Sequence, residues 1–260
     1  WYGDHRDLHL SLRRQRQMCT RDSKEVKYLG CIFDSNISGE EMATNVLNKV
    51  NSRLRFLYRK QSILNGPLRR LLCNALIQPL FDYASQSWYP NLTKTLSIKL
   101  QRAQHKCIRF CLNLDNRTHL DKKEFKDINW LPVKERVNQH ICVTAYNLFT
   151  GILPMYMSDI FIPYETAQCT RNSMHRFQVP MRKTNMGQNS LSYLGPNLWN
   201  NIPCDTKLSK SRNSFKHKLK SAFFNNASTS WENVWIVISN FFWLSLNRTS
   251  VVVKKNWWLK

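Results

Sequence analysis

Four cationic side chains near the middle of the sequence have the spacing of one helical face. Lys99, Arg102, Lys106 and Arg109 follow one another at intervals of three, four and three residues. These intervals place all four on one side of an α-helix, where like charges repel by about 0.3 kcal/mol per pair. Because an anion along the row would relieve that repulsion, the spacing predicts a phosphate-binding face on a helix over residues 93–114.

A second set of cations lies on the preceding long helix, which the apolar periodicity predicts from residue 38 onward. Lys49, Arg53 and Lys60 are the candidates there for binding nucleic acid. Residues 41–115 contain 12 Lys and Arg and 3 acidic residues, a net charge of +9. A compact basic helical unit is suited to binding a phosphate backbone without reading sequence. For each cation the alternative is an ordinary exposed charge that binds nothing.

Composition limits the function classes that the chain can belong to. With 260 residues, of which 42% are hydrophobic, it can bury a core, and disorder throughout is excluded. The formal net charge of +22 attracts polyanions, either nucleic acid or an anionic membrane surface. The recurrence of cations on helix faces favours nucleic acid. The apolar run over residues 234–246 is shorter than the roughly 20 residues of a membrane-spanning helix, which argues against a membrane partner.

Cysteine chemistry gives no sign of a metal site. The 8 cysteines include no C-x-x-C pair, and their density does not favour a disulfide scaffold. Cys107 and Cys111, with His105 and His119 nearby, come closest to a ligand set. The two thiols are one helical turn apart on an apolar face, so we expect packing rather than zinc. No metal site and no cofactor are predicted for this chain.

Local signals define the elements that position these residues. Residues 16–20 and 26–33 read as two strands, with Gly30 as a bulge in the second. Ser38 and Glu41 fit a capping box for the first helix, and Asn65-Gly66-Pro67 separates it from the next, which Pro79 kinks or ends. That second helix is expected to bury one apolar stripe, formed by Leu68, Leu71, Leu72, Ala75 and Leu76.

The predicted fold class is mainly α. We expect a short N-terminal β-hairpin over residues 1–37, a three-helix bundle over 38–115 and a mixed, mostly helical region over 116–227. An apolar and basic tail over 228–260 shows no clear period, and we assign it no function. Each of these four ranges is treated as a separate region of the chain.

Several sequence strings, in order, resemble one protein family. VKYLGCIFD (residues 26–34), ALIQPLFDYASQSWYP (75–90) and LQRAQHKCIRF (100–110) resemble segments of non-LTR, LINE-type and jockey-like retrotransposon reverse transcriptases. WLPVKERV (130–137), LGPNLWNNIP (194–203) and SFKHKLK (214–220) resemble markers of the C-terminal region of the same family. The resemblance covers residues 26–225, and it identifies the chain as similar to the thumb and following region of such a polymerase.

The resemblance implies a role for each region. Residues 38–115 would form the thumb, which holds the template–primer duplex, and Tyr28, Leu29 and Gly30 would lie near the primer terminus. The family's polymerase site needs two adjacent aspartates that bind Mg²⁺, and this sequence has no adjacent Asp pair. Asp34 and Asp82 stand alone and are expected to cap turns or helices. We therefore expect no catalytic residue and no activity from this chain alone, with Mg²⁺ required only by the full-length polymerase.

Two other interpretations stay open from the sequence. The chain is alternatively a non-functional translated remnant of a transposable element with no evolved ligand, or a basic membrane-surface protein that uses its Trp-rich tail. It begins at Trp1 rather than Met and shows no signal peptide. We accordingly expect a fragment with a nuclear or cytoplasmic location rather than a secreted protein, and a sequence-independent nucleic-acid partner rather than a small-molecule substrate.

Overall fold

Helices make up most of the protein. The computed structural model describes residues 25–164 and 175–226, and these are mainly α-helical with one short antiparallel hairpin, so the predicted fold class is confirmed. The chain divides into two units, Trp1–Lys220 and Ser221–Lys260, and residues 221–226 are the described part of the second. The strand expected over residues 16–20 and the tail over 228–260 lie outside the described residues.

The N-terminal hairpin reverses direction where the sequence predicted a bulge. Strand β1 (Glu25–Tyr28) pairs with β2 (Cys31–Asp34), with Tyr28 opposite Cys31. Leu29 and Gly30 between them both have positive φ, 47° and 82°, as a tight two-residue hairpin turn requires. The prediction of one continuous strand over residues 26–33 was wrong, because its apolar run hides a turn that glycine makes possible.

Helix α1 (Glu40–Arg59) begins at a glycine rather than in the predicted capping box. The residue before its first turn is Gly39, with φ of 71°, and a Cβ there would collide with the carbonyl of Trp88. The Asp34 carboxylate accepts hydrogen bonds from the backbone N–H groups of Ser38 and Gly39, at 3.1 and 3.3 Å. Asp34 therefore caps this turn, as expected. The buried stripe of α1 consists of Met42, Ala43, Val46, Val50, Leu54 and Leu57.

The next helical segment changes its winding before Pro79. Helix α2 (Gly66–Leu72) starts at Asn65, whose side chain accepts from the N–H of Leu68. A π-helical turn (Cys73–Ile77) follows, then α3 (Gln78–Asp82) and α4 (Ser85–Trp88). Pro79 has no backbone N–H to donate to a carbonyl in the preceding turn. The wider π-helical turn before it accommodates the missing hydrogen bond. The predicted leucine stripe was wrong, because Leu68, Leu71 and Leu76 are exposed and the buried side chains are Cys73, Ile77 and Phe81.

Helix α5 (Lys94–Leu112) packs against α1. The ring of Tyr58 on α1 meets that of Phe110 edge-on, at 4.9 Å between centroids. Its buried residues cover a wide face that includes Leu100, Ala103, Cys107 and Phe110. The helix ends at Asn113, which adopts a positive φ of 57°. Helices α1 and α5 pack against each other and against parts of the segment 66–88.

The remaining helices surround an aromatic cluster. They are α6 (Lys122–Ile128), α7 (Val133–Phe149), a 3₁₀ helix (Met155–Ile160), α8 (Asn185–Gln188), α9 (Leu191–Asn200), α10 (Cys204–Lys207) and α11 (Arg212–Asn226). Trp199 is fully buried, with the rings of Phe149, Phe177 and Phe215 at 5.4, 5.8 and 6.0 Å. Among the described residues, no helix combines the length and the apolar character that a membrane crossing requires.

Candidate nucleic-acid interface

The cationic row on α5 divides into an exposed part and a bound part. Lys99, Arg102 and Lys106 are exposed, and none forms an ion pair with a carboxylate in the described ranges. Arg109 is half-buried, and its Nε and Nη2 donate to the carbonyl of Thr118 at 3.1 and 2.9 Å. The predicted four-residue row thus presents three cations to solvent, while the fourth holds the loop that follows the helix.

The cations predicted on α1 lie along one flank of that helix. Lys49, Arg53 and Lys60 are all exposed and recur at four and seven residues, which keeps them on one side. The Arg53 guanidinium donates to the carbonyl of Leu76. This bond places the flank beside the π-helical turn, away from α5.

The opposite flank of α1 carries cations that the sequence analysis did not single out. Tyr58 marks this flank, because its hydroxyl donates to the carbonyl of Lys106 at 3.4 Å. Arg55 lies one turn before Tyr58, and Arg59 follows it on the adjoining outer face. Both are exposed. Periodicity could not reveal which flank adjoins α5, since both border the same buried stripe and only the tertiary contacts distinguish them.

Arg69 makes this bundle rigid rather than contributing to its exposed charge. Its guanidinium donates to the carbonyl of Leu64 at 2.8 Å, to the side-chain oxygen of Asn113 at 2.7 Å and to the carbonyl of Gln61 at 3.2 Å. It also lies over the Phe110 ring, 5.8 Å from the centroid. The turn between α1 and α2 is thereby fixed to the end of α5.

The residues expected near a primer terminus form the hairpin turn. Tyr28 and Leu29 are 65% and 75% exposed, and the carbonyl of Leu29 accepts a hydrogen bond from the hydroxyl of Tyr83. Gly30 lies against the same ring, since a Cβ built on it would be 3.6 Å from the Tyr83 oxygen. The turn is thus attached to the end of α3, and its apolar side chains face solvent.

A ladder of polar contacts joins residues 74–86 to residues 130–144. The Arg136 guanidinium donates hydrogen bonds to both carboxylate oxygens of Asp82, with Nη2 to Oδ2 at 2.5 Å. Asp82 is therefore an ion-pair partner, and the expectation that it caps a turn was wrong. The remaining contacts join Trp130 Nε1 to Asn74 Oδ1 at 2.7 Å, His140 Nδ1 to Ser85 Oγ at 3.3 Å and Thr144 Oγ1 to Gln86 Oε1 at 3.1 Å.

Ser85, His140 and Asp82 have the residue types of a hydrolytic triad but not its accessibility. Ser85 is 1% exposed, so a substrate cannot reach its hydroxyl. The nearest approach of His140 Nε2 to Asp82 is 3.9 Å, because Arg136 takes both carboxylate oxygens. Burial lowers the pKa of the His140 imidazole, against the opposite influence of Asp82. These groups hold helices together and do not form a nucleophile.

The thiols near the bundle core behave as packing groups. Cys73 and Cys107 are fully buried and Cys111 nearly so, and burial raises the pKa of the Cys107 thiol. Within residues 25–164 and 175–226, no three His, Cys, Asp or Glu side chains are grouped as a metal site would need.

Comparison of the chain with protein-family models, with curated proteins and with solved structures found no match.

Proposed function

We propose that this chain is the thumb and following region of a non-LTR retrotransposon reverse transcriptase, and that it binds the template–primer duplex through its phosphates. The observation that carries the proposal is the exposed row of Lys99, Arg102 and Lys106 on α5, with Arg55 and Arg59 on the neighbouring face of α1. The ordered strings over residues 26–225 that resemble this family supply the polymerase context.

The geometry of the row suits a nucleic-acid backbone. Lys99 and Lys106 are seven residues apart, or about 10 Å along the helix axis. Duplex DNA carries one charge per about 1.7 Å of its axis, so three cations face roughly six phosphates over that length. Such contacts hold a duplex without reading its sequence.

Rigid support for the row also favours the proposal. The Tyr58 ring and hydroxyl join α1 to α5, and Arg69 joins the turn after α1 to the end of α5. Cations held on two helices that cannot separate keep a fixed spacing. A fixed spacing lowers the ordering cost of binding an extended anion.

No step of nucleotidyl transfer is assigned to these residues. The sequence contains no adjacent Asp pair of the kind that the family's polymerase site uses. The proposal therefore concerns binding alone, and Mg²⁺ chemistry belongs to the catalytic part of the family's polymerases.

Fluorescence anisotropy with a short RNA–DNA duplex tests the proposal. We expect the 260-residue chain to bind duplexes of unrelated sequence equally and to lose affinity steeply as salt rises from about 50 to 200 mM. The triple variant Lys99→Gln, Arg102→Gln, Lys106→Gln should reduce the slope of log K against log salt by about 2.7. The control, with the same charge change elsewhere, is Lys183→Gln, Lys210→Gln, Arg212→Gln.

Each competing interpretation has its own result. Equal losses in the two triple variants would mean that net charge, not the α5 row, governs binding. Absence of a cooperative melting transition, together with no duplex binding, would support a non-functional remnant. Preference for anionic vesicles over the duplex would support a membrane-surface protein. Each of these three results contradicts the proposal.

A further inference from the structure

Helix α1 exposes an aromatic ring in the middle of its outer cationic row. Phe56 is 55% exposed. It lies three residues after Arg53 and four before Lys60, so the ring projects between two cations on the same flank. The helix buries Leu54 and Leu57, which lie on either side of Phe56 in sequence.

The segment beside this flank also turns apolar side chains outward. Arg53 bonds to the carbonyl of Leu76, and Gly39, at the other end of α1, lies against Trp88. The two contacts show that residues 76–88 run antiparallel to α1. The side chains of Leu76 and Tyr83 on this segment are 38% and 51% exposed.

We define the α1 strip as the surface formed by Lys49, Arg53, Phe56, Lys60 and Leu76. Its cations extend over eleven residues of helix, which is about 16 Å. The α5 surface differs from it, because Phe110 is buried there and the exposed apolar side chain beside Lys99 is the aliphatic Ile98, 42% exposed. The α5 surface thus offers charge without an exposed phenyl ring, whereas the α1 strip offers charge together with one.

The exposed ring indicates whether the α1 strip suits a double-stranded or a single-stranded nucleic acid. A duplex hides the faces of its bases and presents phosphates, whereas an unpaired strand presents both phosphates and base faces. Cations that follow a backbone, with an aromatic ring on which a base stacks, are the means by which proteins bind single strands without sequence preference.

We propose that an unpaired, single-stranded segment of nucleic acid lies along the α1 strip, with one base stacked on Phe56. This inference rests on the proposed function, because it extends the duplex-binding chain with a separate track for the strand outside the duplex. The phosphates of the strand lie against Lys49, Arg53 and Lys60. The duplex occupies the α5 surface.

The experiment compares two probes on the full chain. One is a short single-stranded RNA that contains 2-aminopurine, whose fluorescence falls when the base stacks, and the other is a blunt RNA–DNA duplex of the same sequence. Phe56→Ala should weaken single-strand binding about tenfold and abolish the 2-aminopurine quenching. Its affinity for the blunt duplex should stay within about twofold of the parent chain. Phe56 is exposed, so truncation should leave the fold intact.

Two further variants sharpen the result. Phe56→Leu keeps the apolar bulk and should lose the quenching, because stacking needs a flat ring. The control is Tyr156→Ala, which truncates another exposed aromatic, 77% exposed, in the 3₁₀ helix, and should bind both probes as the parent does.

The possible outcomes separate the inference from the proposed function. Unchanged single-strand affinity in Phe56→Ala, with duplex binding intact, overturns the inference and leaves the proposed function standing. Equal losses on both probes also overturn it, because the ring would then serve the duplex. Failure of the parent chain to bind either probe overturns both. Selective loss on the single strand, together with lost quenching, supports the inference.

Discussion

Replacing Arg136 with Met removes the guanidinium that binds both oxygens of Asp82, and we expect this change to lower the free energy of unfolding. The two side chains are 19% and 26% exposed, so water reaches the pair only in part. Methionine fills a similar volume and makes no polar contact, so the Asp82 carboxylate would lose its bidentate partner. His140 Nε2 lies 3.9 Å from the Asp82 carboxylate, beyond hydrogen-bond distance, so it does not replace the bidentate contact.

The expected loss lies between two limits. Breaking a buried ion pair by removing one partner costs about 3–5 kcal/mol, whereas an exposed pair contributes about 0.2–1 kcal/mol. For this half-buried pair we expect about 2.5 kcal/mol, with lost packing of the Arg136 stem included. In a chain of this size, that corresponds to a fall in Tm of about 5–10 °C.

A double-mutant cycle isolates the pair itself. Urea unfolding would be measured for Arg136→Met, Asp82→Asn and the double variant, with the parent as reference. We expect the double variant to be less destabilised than the sum of the singles by about 1.5 kcal/mol, because the second change removes a carboxylate that the first left without its partner. Strictly additive losses would refute the reasoning, since they would show that the two groups act independently in the folded protein.

Three other predictions concern single positions. Gly39→Ala should destabilise the protein by at least about 2 kcal/mol in urea unfolding, because its Cβ meets the Trp88 carbonyl at a positive φ, whereas Gly66→Ala, with open space around it, should not. Burial raises the pKa of Glu135 to about 7, so stability should fall as pH rises from about 4.5 to 7, and Glu135→Gln should flatten this profile. Arg109→Gln should lower the free energy of unfolding by about 1 kcal/mol and leave duplex affinity within about twofold of the parent chain. A large loss of affinity would show that Arg109 binds the duplex.

The sequence alone predicted most of the buried residues of a long helix where its apolar residues keep one helical spacing. In α1, Ala43, Val50, Leu54 and Leu57 recur at helical spacing and are buried, while Leu47 of the same stripe is half-buried. In α5, Leu100, Ala103, Cys107 and Phe110 are buried, and Leu96 at the start of that stripe is half-buried. Such patterns survive tertiary packing because the helix must bury one continuous face, and the exposure of the cations opposite follows directly.

Prediction of the buried and paired residues failed where a turn or a change of helix type interrupted an apolar stretch. Gly30 converts an apparent strand into a hairpin by adopting a backbone conformation that few other residues tolerate. Before Pro79 the helix widens to a π-helical turn, whose buried residues are Cys73 and Ile77, while Leu71 is exposed. An apolar stretch has the same composition whether or not the chain turns or widens into a π helix within it. Composition alone therefore reveals neither the hairpin nor the π-helical turn.

The sequence could predict which cations share one face of a helix, but not which of those faces a neighbouring element covers. Arg109 fits the α5 row in sequence, but its guanidinium bonds to the Thr118 carbonyl, a contact to a loop that no periodicity describes. Arg55 was passed over because the flank of α1 that adjoins α5 is determined by Tyr58. The side of a helix that a neighbour occupies is a property of the assembled bundle.

The segment 66–88 places polar as well as apolar groups on its inner side, and this bears on what its outer side contacts. Asp82 and Ser85 point inward to Arg136 and His140, which satisfies the interior with polar contacts. The large side chains Leu71 and Leu76 are left outside, 63% and 38% exposed. Exposed apolar area costs about 25 cal/mol per Å² relative to burial, a cost that a bound ligand recovers. The inward polar contacts fix the segment and leave Leu76 exposed beside the α1 strip, where the strand that we propose would cover it.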